Sequence, residues 1–131
     1  MFKGVDHVVI AVKDLEAAIT QYEQILGVPA TERGEPAGAG FKNVFFRSGS
    51  SYVELVSPTS DQGPVAGKIA RTGEGVHLVA IAVDDLPAKL AELRGAGVRL
   101  VGDPGPDKPI TGQVFVHPAA AGGVLTQLVQ R

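Results

Sequence analysis

The feature that most constrains how this chain can fold is an internal repeat. Residues 4–12, GVDHVVIAV, return as residues 75–83, GVHLVAIAV. Two copies fill 131 residues, which is too short for an open solenoid. We therefore expect two half-domains that pack into one closed domain. In this register His7 corresponds to Leu78, so a polar position of the first copy is apolar in the second.

Composition argues against several classes of function. The formal net charge is −2 and Lys and Arg form no cluster, so we expect neither nucleic-acid binding nor attachment to a membrane surface. No apolar run approaches the roughly 20 residues of a membrane helix. Cysteine is absent, which is consistent with a cytoplasmic protein. Asp6, His7 and Lys13 interrupt any apolar segment of a signal peptide.

Each copy is predicted to open with a strand and a helix. The β-branched, apolar residues of 5–12 predict a strand, and Asp14 is a suitable N-cap for an amphipathic helix that ends at Gly27. The second copy repeats this order, with a strand over 76–83 and a shorter helix capped by Asp85. Because side chains alternate along a strand, His7 need not share a face with the helix-covered residues Val8 and Ile10.

Each copy is predicted to close with paired strands. Residues 42–47 and 52–56 form the pair in the first copy. In the second copy a strand over 98–101 precedes a hairpin of residues 113–116 and 124–129.

Glycine and proline cluster between these segments. The clusters at 27–40, 57–67 and 102–112 are predicted to be turns, and residues 67–75 are predicted to link the copies. The order predicts an α+β fold of two tandem βαβββ modules, about 1–67 and about 75–131. The modules should form one domain with a curved, half-barrel sheet and helices on its outer face.

Three stretches resemble the vicinal-oxygen-chelate superfamily. They are residues 6–12 (DHVVIAV), residues 53–58 (VELVSP) with 64–66 (PVA), and residues 117–125 (HPAAAGGVL). This superfamily includes glyoxalase I, methylmalonyl-CoA epimerase, extradiol dioxygenases and bleomycin-resistance proteins. The last two stretches are most similar to methylmalonyl-CoA epimerases.

The resemblance implies a metal site in the sheet cavity, with two ligands from each module. His7, Glu54 and Gln127 stand at three ligand positions, and Leu78 stands at the fourth. The repeat supports this register, because Glu54 in VELV matches Gln127 in TQLV. The implied cofactor is a divalent ion of cobalt, manganese, nickel or zinc. With only three donors left, both a bound and an absent metal stay open.

The resemblance also implies two catalytic carboxylates, and this chain departs from that pattern. Gln127 and Asn43 stand where bases would be, and an amide cannot accept a proton from carbon at neutral pH. Glu54 is therefore the candidate catalytic residue.

Candidate substrate-binding residues lie on the strand of Asn43 and on the last loop. Asn43 and Arg47 should line the cavity. The loop with His117, Gly122 and Gly123 closes over substrate in the family, and its backbone N–H groups suit a carboxylate or phosphate-like group.

Two functions follow from these residues. The first is metal-assisted proton transfer next to a carbonyl of a small acid or thioester, as in glyoxalases and epimerases. The second is a non-catalytic protein that binds a small molecule, as bleomycin-resistance proteins do. Either would act on a small molecule, and we expect a homodimer because unpaired strand edges are usually covered.

Overall fold

The computed structural model describes residues 1–131 and has the predicted α+β fold. The helices are α1 (Leu15–Leu26), α2 (Pro64–Thr72) and α3 (Leu86–Gly95). The strands are β1 (Phe2–Ala11), β2 (Glu32–Gly34), β3 (Phe41–Ser48), β4 (Ser51–Pro58), β5 (Gly75–Val83), β6 (Leu100–Val101), β7 (Val114–Val116) and β8 (Thr126–Gln130). A short 3₁₀ helix covers Pro118–Ala120. No helix has the length and apolar character needed to cross a membrane.

The predicted helix caps are confirmed. The side chain of Asp14 accepts a hydrogen bond from the Ala17 N–H at 3.1 Å, and α1 ends at Gly27 in the left-handed conformation. Asp85 caps α3 in the same way, through the Ala88 N–H at 3.0 Å. Each cap satisfies a backbone donor that the first turn of a helix leaves unpaired.

The chain divides into two compact units, which are described separately. The first unit is residues His7–His77. Its strands follow the order β2-β3-β4-β1, with β1 parallel to β4 and the other pairs antiparallel. One sheet face packs under α1. The core there consists of Val12, Leu15, Ala18, Ile19, Val44, Phe46 and Leu55, with Ile10 and Val53 against it.

The second unit is residues Met1–Asp6 together with Leu78–Arg131. Its strands follow the order β5-β8-β7-β6, with β5 parallel to β8. The core around α3 contains Leu90, Val114, Val116 and Leu128, with Ile81 packed against it. The chain ends are tied within this unit, since Arg131 forms two hydrogen bonds with the buried carboxylate of Asp6 at 2.8 and 3.2 Å.

Three segments differ from the sequence-based prediction. The glycine-rich segment 27–40 contains the short strand β2, which was predicted to be turn. Helix α2 begins at Pro64 within the predicted turn cluster 57–67 and extends into the predicted linker, because Pro64 starts a helix whose Val65 is buried. The predicted strand at 98–101 is reduced to β6, since Val98 and Arg99 lie outside it.

Candidate functional site

Six polar or aromatic side chains of the first unit share one face of its sheet. Val44, Phe46 and Leu55 pack under α1, so alternation directs the residues between them to the opposite face. We call this the open face. It carries His7 from β1, Asn43, Phe45 and Arg47 from β3, and Tyr52 and Glu54 from β4.

Glu54 is the only carboxylate of β4 and lies at the centre of the open face. It pairs with Val9 of β1 on one side and with Phe45 of β3 on the other. Its Oε2 accepts a hydrogen bond from Asn43 Nδ2 at 3.1 Å. Burial raises the pKa of the Glu54 carboxyl, against the lowering effects of the Asn43 hydrogen bond and of the charges of His7 and Arg47. A half-buried carboxylate with a raised pKa is a stronger base than an exposed one.

His7 is held flat against an aromatic ring. It is buried, and it pairs with Tyr52 across the parallel strands β1 and β4. The two rings stack with centroids 4.3 Å apart and planes 9° from parallel. Phe45 meets the Tyr52 ring edge-on at 5.3 Å. This packing fixes the plane in which the His7 ring nitrogens lie.

Arg47 is bound by a carboxylate of the neighbouring strand. Its Nε and Nη2 donate to the two Glu32 oxygens at 2.6 and 3.0 Å. The guanidinium also lies over the rings of Phe45 and Tyr52, 5.0 and 4.8 Å from their centroids. The hydrogen bonds from Arg47 lower the pKa of Glu32, which keeps that carboxylate ionised. A substrate anion that binds Arg47 has to compete with Glu32.

The second unit presents a mostly apolar counterpart of this face. Gln127 is buried and pairs with Ala80 and Phe115, just as Glu54 pairs with Val9 and Phe45. The repeat register inferred from the sequence is thus confirmed for these strands. Leu78 is buried, as expected of a core residue.

His77, next to Leu78 on β5, has one ring nitrogen in a buried position. Its Nδ1 is buried and has no hydrogen-bond partner. Burial lowers the pKa of the His77 imidazole, and the charges of Lys68 and Arg71 on α2 lower it further.

The loop at 117–123 is shaped by its histidine and glycines. His117 Nδ1 accepts a hydrogen bond from the Ala119 N–H at 3.0 Å, so His117 caps the 3₁₀ helix. Gly122 and Gly123 both adopt positive φ, at 66° and 89°. Those values favour glycine, because a side chain there would be strained.

The donors of the first unit do not complete a metal site by themselves. His7 supplies nitrogen and Glu54 supplies oxygen, whereas catalytic sites usually use three protein ligands. No group of three or more His, Cys, Asp or Glu side chains in the chain could hold a metal ion. The predicted ligand set of His7, Glu54 and Gln127 stays a prediction.

Three residues of this site were missed from the sequence. Alternation from Asn43 and Arg47 places Phe45 on the open face, and alternation from Glu54 places Tyr52 there, so a signal for both existed. Glu32 had no such signal, because its strand has only three residues, all exposed.

Comparisons with known proteins show the family of the chain. Residues 6–115 match the model of the Glyoxalase/Bleomycin resistance protein/Dioxygenase superfamily. The chain is 33% identical to human mitochondrial methylmalonyl-CoA epimerase, covering 95% of this chain and 72% of that protein. It is 32% identical to the ethylmalonyl-CoA/methylmalonyl-CoA epimerase of Cereibacter sphaeroides, covering 99% of both.

A solved structure shows the same similarity in three dimensions. It is a variant of Streptomyces coelicolor methylmalonyl-CoA epimerase in complex with 2-nitronate-propionyl-CoA. The TM-score is 0.83 at 30% identity, covering 99% of this chain and 98% of that one. The resemblance drawn from the residue patterns is therefore confirmed.

Proposed function

Because the chain belongs to the glyoxalase/bleomycin resistance protein/dioxygenase superfamily, we propose that it moves a proton at the carbon next to the carbonyl of an acyl-CoA thioester. The relatives named above act on methylmalonyl-CoA or ethylmalonyl-CoA, so a 2-carboxyacyl thioester is the substrate class we assign. One observation supports the chemistry most: Glu54 is a half-buried carboxylate that accepts a hydrogen bond from the Asn43 amide and pairs with Phe45 across the sheet.

Glu54 is the group that accepts the proton. Its carboxylate takes the hydrogen bound to the carbon between the thioester and the substrate carboxylate. The electron pair of the broken C–H bond moves into the thioester carbonyl and forms an enolate. The protonated Glu54 then returns a proton to the same carbon, and the carbonyl re-forms. The raised pKa of Glu54 suits this step, since a stronger base lowers the barrier to removing a weakly acidic proton.

The neighbours of Glu54 have supporting roles in this proposal. We assign an N–H of His7 to the enolate oxygen, because the stack on Tyr52 holds its ring plane fixed. Arg47 is assigned to the substrate carboxylate, in exchange with Glu32. The loop of His117, Gly122 and Gly123 remains a proposed part of the substrate-binding surface.

A single carboxylate has a consequence that can be measured. A base that removes and returns the proton on one face of the carbon exchanges that proton with solvent without inverting the carbon. Inversion needs a second proton donor on the opposite face, and the amides Asn43 and Gln127 stand at the positions where the family resemblance implies further bases. We therefore expect solvent exchange to be faster than epimerisation.

The test is an exchange experiment with methylmalonyl-CoA in heavy water. Mass spectrometry follows deuterium uptake at the carbon, and conversion of one epimer to the other is followed separately. Wild-type protein should catalyse uptake, and Glu54→Gln should slow it by about 100-fold or more. Glu92→Gln removes an exposed carboxylate of α3 and is the matched control, which should keep the wild-type rate.

Uptake by wild-type protein no faster than in buffer would overturn the proposal. Calorimetry with the same thioester then separates the remaining cases. Tight binding without exchange would establish the non-catalytic binding function in its place.

A further inference from the structure

Asn43 has an arrangement that folding alone does not favour. The residue is only 6% exposed, and its Nδ2 donates to Glu54 Oε2. Its Oδ1 is buried without any hydrogen-bond partner. Leaving a buried acceptor unpaired destabilises the folded state, so a buried amide whose oxygen has no partner needs an explanation.

Gly34 of β2 provides the space for the unpaired Asn43 Oδ1. Gly34 pairs with Asn43 across the antiparallel strands. A Cβ atom at position 34 would lie 2.9 Å from Asn43 Oδ1, which is closer than real side-chain contacts allow. The backbone of Gly34 is not in the left-handed region, so its conformation does not require glycine. A side chain at position 34 would instead oblige the Asn43 carbonyl to shift.

We infer that Gly34 and Asn43 are a pair of positioning residues that fix the Glu54 carboxylate for proton transfer. The absence of a side chain at Gly34 leaves room for the carbonyl end of the Asn43 amide, and the NH₂ end is then directed at Glu54. The reversed amide would set two acceptor oxygens against each other, so only one orientation is attractive when Glu54 is ionised. Neither residue touches the reacting carbon in this proposal. The catalytic part of the inference rests on the proposed function, whereas the positioning can be measured without it.

Among the side chains around Glu54, Asn43 donates the hydrogen bond that holds its carboxylate. The flanking residues on the paired strands, Val9 and Phe45, have no side-chain donor. Arg47 acts on Glu54 by charge but is bonded to Glu32, and His7 is stacked on Tyr52. A carboxylate aligned to within a fraction of an ångström reacts faster, and a misplacement of about 1 Å can cost about 100-fold.

The first test uses the fact that Asn43 is the only asparagine of the chain. Protein labelled with ¹⁵N-asparagine gives one side-chain amide signal pair in an NMR spectrum. Glu54→Leu removes the acceptor and should shift that pair upfield. Gly34→Ala should move it in the same direction, because the added methyl displaces the amide. Gly112→Ala is the matched control, with open space around the new Cβ and no positive φ, and should leave the pair unchanged.

The second test is a double-mutant cycle. If Gly34 serves to leave room for the Asn43 side-chain carbonyl, Gly34→Ala should destabilise the wild-type protein. The same change should have no effect in the Asn43→Ala variant, which lacks that carbonyl. In the exchange assay Gly34→Ala should lower kcat by about tenfold or more with KM changed by less than about twofold.

Each outcome has a clear consequence. If the amide signal is unaffected by Glu54→Leu, or is the same in Gly34→Ala and Gly112→Ala, Gly34 and Asn43 do not position Glu54 as a pair. If Gly34→Ala changes stability equally in the wild-type and Asn43→Ala backgrounds, Gly34 does not serve to accommodate the Asn43 carbonyl. If the wild type fails to exchange deuterium while the amide signals respond as expected, the proposed function fails and the positioning pair stands.

Discussion

The two units keep the same core and differ on the face opposite their helices. Core residues match in kind at corresponding positions, namely Ile10 and Ile81, Leu15 and Leu86, Val44 and Val114, and Leu55 and Leu128. On the opposite face, three side chains that are polar or aromatic in the first unit are replaced by apolar or neutral ones in the second. The changed positions are His7 and Leu78, Tyr52 and Leu125, and Glu54 and Gln127.

This difference separates what folding requires from what chemistry requires. Either unit needs an apolar helix-covered face to be stable, and both units keep one. Only the first unit has an imidazole and a carboxylate on the opposite face. The carboxylate and the imidazole used in the proposed proton chemistry both belong to the first unit. Four predictions test that comparison.

The largest expected effect concerns the matched cores. Leu55→Ala and Leu128→Ala each remove a buried leucine side chain, and each should lower the free energy of unfolding by about 3 kcal/mol. Leu55 should cost more, because it is 0% exposed and Leu128 is 7% exposed. Urea denaturation measures both. A cost below about 1 kcal/mol for Leu128 alone would show that the second core is not the equal of the first.

Much of this fold is visible in the sequence. Helix caps, strand positions and the two faces of each sheet follow from local signals, such as Asp14 before an amphipathic segment or alternation around Glu54. These signals work because a cap or a strand face involves neighbours in sequence.

The remaining features depend on pairing between distant residues. Glu32 meets Arg47 only because the short, exposed strand β2 joins β3, and nothing in its three residues alternates. The stack of His7 on Tyr52 depends on the register of two parallel strands. The close approach of the Asn43 carbonyl to Gly34 could not be predicted either, because a glycine in a glycine-rich segment predicts a turn.

The second prediction gives the second unit the groups it lacks. Leu78→His with Gln127→Glu restores the residue types that the family resemblance implies at these positions. The double variant should bind cobalt at least about tenfold more tightly than the product of the single changes predicts, because ligands of one ion act together. Calorimetry with cobalt, manganese, nickel and zinc measures this. Absence of any gain would show that these positions no longer serve a metal.

The third prediction uses the caps, where the units are alike. Asp14→Ala and Asp85→Ala each remove one side-chain acceptor from a helix N-terminus. Each should lower the free energy of unfolding by about 1 kcal/mol. Asp14→Ser and Asp85→Ser keep an acceptor and should recover most of the loss. If one cap costs several times more than the other, the two helices do not contribute equally to their units.

The smallest expected effect concerns the histidine that lies one position out of register. His77 corresponds to Asp6 of the first copy, whose carboxylate is paired with Arg131. Burial and the charges of Lys68 and Arg71 lower the pKa of His77, so its neutral form is favoured in the folded protein. The unfolded chain takes up the proton first, at a pH near 6.5, and stability from this group is lost as the pH falls from there through the folded pKa.

His77→Leu should therefore flatten the dependence of unfolding free energy on pH between neutral and mildly acidic conditions. At pH 7.5, where the imidazole is neutral in both states, the variant should be at least as stable as the wild type, because it removes a buried nitrogen that has no partner. Urea denaturation across this range measures both effects. A steeper pH dependence in the variant would mean that His77 is charged in the folded protein. In that case both corresponding positions, Asp6 in the first copy and His77 in the second, would carry a charge in the folded protein. The two copies would then differ in the sign of the charge at this position.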